Sequence, residues 1–140
     1  LRYELEKAGV EVHLTRDRDM AMRLSDRTRF ANRIVPDLFV SIHCDAFHKT
    51  TAHGMGVHIY PACSRNTREF AARIRRSLEA SFPTHKQRGV KESNFYVLRK
   101  TFCPAVLIEC EFVSNPETRR FLKEPENQLA LAKAIARGII

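Results

Sequence analysis

The stretch Asp37-Leu38-Phe39-Val40-Ser41-Ile42-His43-Cys44-Asp45 governs the reading of this chain. Leu38 to Ile42 form an almost unbroken apolar run rich in β-branched and aromatic residues, the pattern of a strand buried on both faces. The run stops abruptly on an imidazole, a thiol and a carboxylate. In open α/β sheets substrates bind just beyond the carboxyl ends of the strands, so His43 stands where chemistry is usually done. A second run, Pro104-Ala105-Val106-Leu107-Ile108-Glu109, has the same design and ends on a carboxylate. If the two strands lie parallel, His43 and Glu109 share one rim of the sheet.

Working outward from these runs, Leu1 to Gly9 read as part of an amphipathic helix closed by a glycine cap. Val10 to Thr15 alternate as a short strand, and Arg16-Asp17-Arg18-Asp19 follow as a charged loop. Ser25 offers an N-cap to a helix whose face is traced by Leu24, Thr28, Ala31 and Val35, ending before Pro36. Gly54 to Tyr60 form another strand, with Met55, Val57 and Ile59 on one face and His58 on the other. Asn66 and Glu69 suggest a capping box for a long helix with Phe70, Ile74, Leu78 and Phe82 on its buried stripe. Pro83 to Lys91 read as a basic loop, and Ser93 to Arg99 alternate weakly. Asn115-Pro116-Glu117 is a strong helix start, and Pro125-Glu126 opens a last helix buried through Leu129, Ala132, Ile135 and Ile139. Strands alternating with helices predict one α/β domain over residues 1–140, its mixed, mostly parallel sheet flanked by helices on both faces.

Length and composition agree with a single domain, since 140 residues and 44% hydrophobic content suffice for a sizeable core. No segment approaches the roughly 18 apolar residues of a membrane span, and none has the order of a signal peptide. The net charge of +8 favours polyanionic partners. The basic residues are spread over several helices without aromatic interleaving, which argues against nucleic acid and leaves anionic polymers or surfaces. Cys44, Cys63, Cys103 and Cys110 show no metal-binding or redox spacing, and three of them sit in or beside apolar runs as small hydrophobes. His13 reads as a strand histidine, and His48 and His53 as loop histidines.

From spacing alone, His43 and Glu109 admit three readings: a hydrogen-bonded structural pair, a metal site with the carboxylate as ligand or general base, or a metal-free proton shuttle. Motif order separates them. Leu14-Thr15-Arg16-Asp17 with Asp19, Leu24-Ser25-Asp26-Arg27-Thr28 with Ala31-Asn32, the Asp37–His43 run, Gly89-Val90 with Asn94-Phe95-Tyr96-Val97-Leu98-Arg99, and Pro104 to Cys110 with Phe112-Val113-Ser114-Asn115-Pro116 span nearly the whole chain. In that order they resemble the zinc-dependent N-acetylmuramoyl-L-alanine amidases of the amidase-3 type.

The resemblance implies a peptidoglycan hydrolase that cuts the amide between N-acetylmuramic acid and the L-alanine of the stem peptide, acting in the periplasm or at the cell wall. It implies that His43 is a ligand of one zinc ion, that Glu109 is the catalytic acid/base, and that Asn94 helps position the substrate. The family's other two zinc ligands match no residue here and are expected upstream of Leu1. The chain is therefore expected to be an N-terminally incomplete amidase domain, a monomer, and weakly active alone. The alternative is a catalytically impaired remnant that binds the wall. The short connection after His43 lacks the helical insertion of regulated relatives, which implies a site that needs no activator. The positive surface suits anionic wall polymers, with binding that weakens at high salt. Glu111 stands where the family usually has glycine, as an extra carboxylate whose role is open between tuning the metal and facing solvent.

Overall fold

The computed structural model describes residues 1–140. In order the elements are α1 (Arg2–Lys7), α2 (Leu24–Ile34), β1 (Phe39–Asp45), β2 (Met55–Ile59), α3 (Arg65–Ser81), β3 (Gln87–Glu92), α4 (Tyr96–Arg99), β4 (Ala105–Phe112), α5 (Pro116–Lys123) and α6 (Pro125–Ile139). The four strands form one mixed sheet in the order β1-β4-β2-β3. β1 runs parallel to β4, β2 antiparallel to β4, and β2 parallel to β3. The expected α/β architecture is thus present.

β4 is central, and its composition follows from that place. Val106, Ile108 and Cys110 face one side of the sheet, where Met55, Val57 and Ile59 of β2 meet Ala71, Ile74 and Leu78 of α3 and Leu131, Ala134 and Ile135 of α6. Ala105 and Leu107 face the other side and pack with Phe39, Ala31 of α2, and Val97 and Leu98 of α4. A strand covered on both faces has no wet side, so its sequence is a continuous apolar run. α2 and α4 are short and cover only part of their face, which leaves the end of the sheet bearing His43 and Glu109 open.

Four local expectations are corrected. Val10–Thr15 is not a strand. It alternates like one but forms no ladder; between it and Val40 and Ile42 of the edge strand β1 runs a groove of about 670 Å³. Alternation without a hydrogen-bonding neighbour does not make a strand. The basic loop is partly β3, an edge strand on which Val90 is the only large apolar side chain. Charge on an edge strand deters pairing with other chains, and it also hides the strand from a search for apolar runs. Within Ser93–Arg99 the chain forms the single turn of α4.

The fourth correction concerns helix starts. α2 begins at Leu24 with no side-chain cap, and only Thr28 and Ala31 of its predicted face are buried, while Leu24 and Val35 are exposed. Val35 takes a left-handed conformation (φ 53°) and ends the helix, because the ring of Pro36 disfavours α geometry in the residue before it. α3 is capped by Ser64, whose Oγ accepts from the Thr67 amide at 3.2 Å, while Glu69 pairs with Arg65 instead of closing a box with Asn66. The start at Asn115 is as expected, its Oδ1 accepting from the amides of Glu117 and Thr118.

Candidate active site

The parallel register of β1 and β4 sets His43 directly opposite Glu109. Paired residues of neighbouring strands point to the same face, so imidazole and carboxyl stand together on the face that α2 and α4 leave open. Across β4 on its other side, Glu109 is paired with Gly56 of β2, which brings no side chain of its own. Gly56 is itself buried, and a Cβ there would meet Arg88 Cβ at 3.4 Å, Gly89 O at 3.8 Å and His58 Nε2 at 4.0 Å.

Ser41 and His43 share a face of β1 by strand alternation, and Ser41 Oγ lies 2.8 Å from His43 Nε2. That contact fixes the ring and leaves Nδ1 without a partner among the side chains. Burial, then the guanidinium charges of Arg27 and Arg16, push the His43 pKa below its ordinary 6.5, with Asp45 opposing. Near neutral pH the ring keeps a free lone pair, the form in which imidazole binds metals or accepts protons.

Glu109 is perturbed in the opposite sense. Burial, with the added charge of Asp45, raises its carboxyl from 4.5 to about 7. Its Oε2 is buried and makes no hydrogen bond. Buried polar atoms without partners are rare and mark places where strain or function is stored. A carboxyl poised near neutrality can take a proton and give it back at the working pH, which is what general acid/base catalysis demands.

A β-bulge follows. The register passes from His43 opposite Glu109 to Asp45 opposite Phe112, so Cys110 and Glu111 of β4 together face Cys44. The extra residue reverses the alternation and turns Glu111 away from Glu109 into the interior. Glu111 is completely buried. It accepts from the Gly54 amide at 2.6 Å and meets His85 Nδ1 at 3.0 Å, and the His85 ring lies against Phe121. Of the two roles considered for Glu111 from sequence, facing solvent is overturned: the side chain is an interior tie between β4, the start of β2 and the segment before β3.

Asn94 is not brought to this rim. β2 runs antiparallel to β4, and Ser93 bonds to Ile59, three residues beyond Gly56, so Asn94 stands on the order of 10 Å along the strands from the level of Glu109. Its side-chain oxygen accepts from Arg99. Two neighbours of the pair escaped the sequence reading. Asp45 follows Ser41 and His43 in alternation, and its charge reaches both His43 and Glu109. His58 shares the face of Gly56 and Glu109, with its Nδ1 2.7 Å from Ser93 Oγ. Alternation could have flagged both; that they surround Glu109 depended on strand order.

A family model described as N-acetylmuramoyl-L-alanine amidase matches residues 1–140. The chain belongs to that amidase family. Among curated relatives, the Probable cell wall amidase LytH of Staphylococcus aureus is 33% identical over 139 residues, covering 99% of this chain and 45% of the relative. The chain thus spans about half the length of the curated relatives it matches. Among solved structures, the amidase AmiC2 of Nostoc punctiforme is 34% identical with a TM-score of 0.89, over 96% of this chain and 73% of that one. The catalytic domain of CwlV from Bacillus (Paenibacillus) polymyxa is 28% identical with a TM-score of 0.90, over 99% of this chain and 75% of the other.

Zinc, which the amidase family implies, finds an incomplete donor set here. No group of three or more His, Cys, Asp or Glu side chains is placed to hold a metal ion. The residues of this amidase-family chain therefore do not fit a whole zinc site. All four cysteines are free, with Cys110 buried and Cys44 exposed, so the expectation of buried thiols holds fully only for Cys110. No helix is long and apolar enough to cross a membrane.

Proposed function

We propose that this chain is an amidase catalytic domain that hydrolyses the amide between N-acetylmuramic acid and the first L-alanine of the stem peptide in peptidoglycan, at the cell wall or in the periplasm. The observation that carries the reading is the His43–Glu109 register pair, with a carboxyl raised to about 7 and one oxygen left unpartnered. Glu109 takes a proton from the attacking water while its carboxyl is ionised. It then returns that proton to the alanine nitrogen, which leaves as a neutral amine. His43, held through Nε2 by Ser41, would be one ligand to a zinc ion, with Nδ1 as the free nitrogen. A single imidazole does not hold zinc tightly, so metal chemistry in this reading requires donors beyond those in residues 1–140. Asn94 would touch the substrate only well away from the cut.

The test is digestion of purified peptidoglycan by the native polypeptide that carries this chain, with release of free L-alanine amino groups measured by mass spectrometry. Stem peptides should appear with wild type and vanish with Glu109→Gln. Release that survives Glu109→Gln overturns the assignment of Glu109. Wall binding with no release by wild type favours instead a catalytically impaired wall-binding domain.

A further inference from the structure

Beside Glu109, on the side away from His43, β2 and β3 present a strip of positive charge with no carboxylate partner, in which the Arg88 guanidinium lies over the Phe112 ring and donates to His53 O. Lys91 of β3 is paired in register with His58 of β2. Arg88 lies next to Gly56, since a Cβ on that glycine would come within 3.4 Å of Arg88 Cβ. Lys86 precedes β3 and its charge reaches Lys91. None of Lys86, Arg88 and Lys91 has a carboxylate within ion-pair distance.

His58 links this strip to the pair. Its Nδ1 is engaged by Ser93 Oγ, and its Nε2 would lie 4.0 Å from a Cβ built on Gly56, the residue opposite Glu109. The ring therefore covers the backbone of Gly56 beside the carboxyl. Burial and the charges of Lys91 and Arg88 lower the His58 pKa, while Asp45 opposes. Lys91 is lowered by burial and by Arg88 and Lys86, again against Asp45. Cations crowded in this way are relieved by an anion in their midst.

Resting on the amidase reading, we infer that His58, Lys91 and Arg88 form a subsite for the carboxylate-bearing peptide stem, which lies along β2 and β3 on the side of Glu109 away from His43. The assignment of sides follows from charge. In an amidated muramoyl peptide the sugar half is neutral and the peptide half carries the carboxylates, so the cationic strip takes the peptide. The neutral His58 ring hydrogen-bonds a backbone carbonyl near the cut, and Lys91 and Arg88 face the acidic side chain and terminus.

The probes are N-acetylmuramoyl-L-alanyl-D-glutamate and its diamide, in which both peptide carboxyls are neutral, titrated calorimetrically at low salt into the native polypeptide carrying Glu109→Gln. The acid should bind at least tenfold more tightly than the diamide. Lys91→Met should shrink that ratio at least threefold, and His58→Ala should weaken both probes, with partial rescue by His58→Gln. Equal binding of acid and diamide, or a ratio unmoved by Lys91→Met, overturns the subsite. If peptidoglycan digestion proceeds in that case, the amidase reading stands without it. Failure of both probes to bind overturns the subsite as well, and takes the amidase reading with it only where digestion by wild type also fails.

Discussion

Removing the Glu111 side chain perturbs the interior tie beneath the candidate site. Glu111→Ala takes away the acceptor of the Gly54 amide and the partner of His85. The Gly54 amide cannot turn to water instead, because Gly54 is buried and held at φ +117° with Lys86 O only 2.8 Å from where a Cβ would lie. An orphaned buried donor costs about 1–3 kcal/mol, and the lost bond to His85 about 1 kcal/mol more. The sum is about 2–4 kcal/mol. At roughly 3–4 °C per kcal/mol for a domain of this size, the melting temperature should fall by about 6–16 °C. Glu111→Gln keeps an oxygen for Gly54 and should lose about 1 kcal/mol. Circular dichroism melts give the stability, and hydrogen exchange at the Gly54 amide gives the local effect. An Ala variant that melts within about 1 °C of wild type, or a Gln variant as damaged as Ala, would refute the role of Glu111 as acceptor for Gly54.

Two further outcomes follow from the same geometry. The Glu109 carboxyl, raised from 4.5 to about 7, binds its proton more tightly in the folded state than in the unfolded one, so its contribution to stability is present below about pH 4.5 and is lost as pH rises to about 7. Glu109→Gln cannot ionise, so its melting temperature should gain on wild type between pH 5 and pH 8; a difference independent of pH would contradict the perturbed carboxyl. In the core, a Cβ on Gly138 of α6 would stand 2.5 Å from Ile74 Cα of α3. Because the obstacle is backbone, Gly138→Ala should be net destabilising by about 1–3 kcal/mol despite the better helix propensity of alanine, and a raised urea midpoint would show that the helices can separate at little cost.

The parts of this protein that were legible in its sequence are those whose cause is local. The run ending at Glu109 declares a buried strand because both faces of β4 are covered, and the stripe through Ile74 and Leu78 and the cap at Asn115 declare helices through period and side-chain chemistry alone; the run ending at His43 is as apolar but forms the edge strand β1, with Ile42 exposed. Two of the motifs that carry the family resemblance, Asp37–His43 and Pro104 to Cys110, lie in these two runs, which is why the candidate pair was named before any contact was known. β3 stayed hidden because an edge strand is stabilised by its ladder to β2, which leaves no apolar signature, and Val10–Thr15 misled because alternation creates a strand only where a partner supplies hydrogen bonds.

Tertiary structure alone decided the register that puts His43 against Glu109, the bulge that sends Glu111 inward while Glu109 stays at the rim, and the strand order that brings Gly56 and His58 to the carboxyl. It also moved Asn94 away from that rim. Each of these belongs to a pair of strands rather than to one. A residue's type fixes what chemistry it can do, but its pKa and its partners depend on what burial and neighbouring charge surround it, and those are set only when distant segments pack.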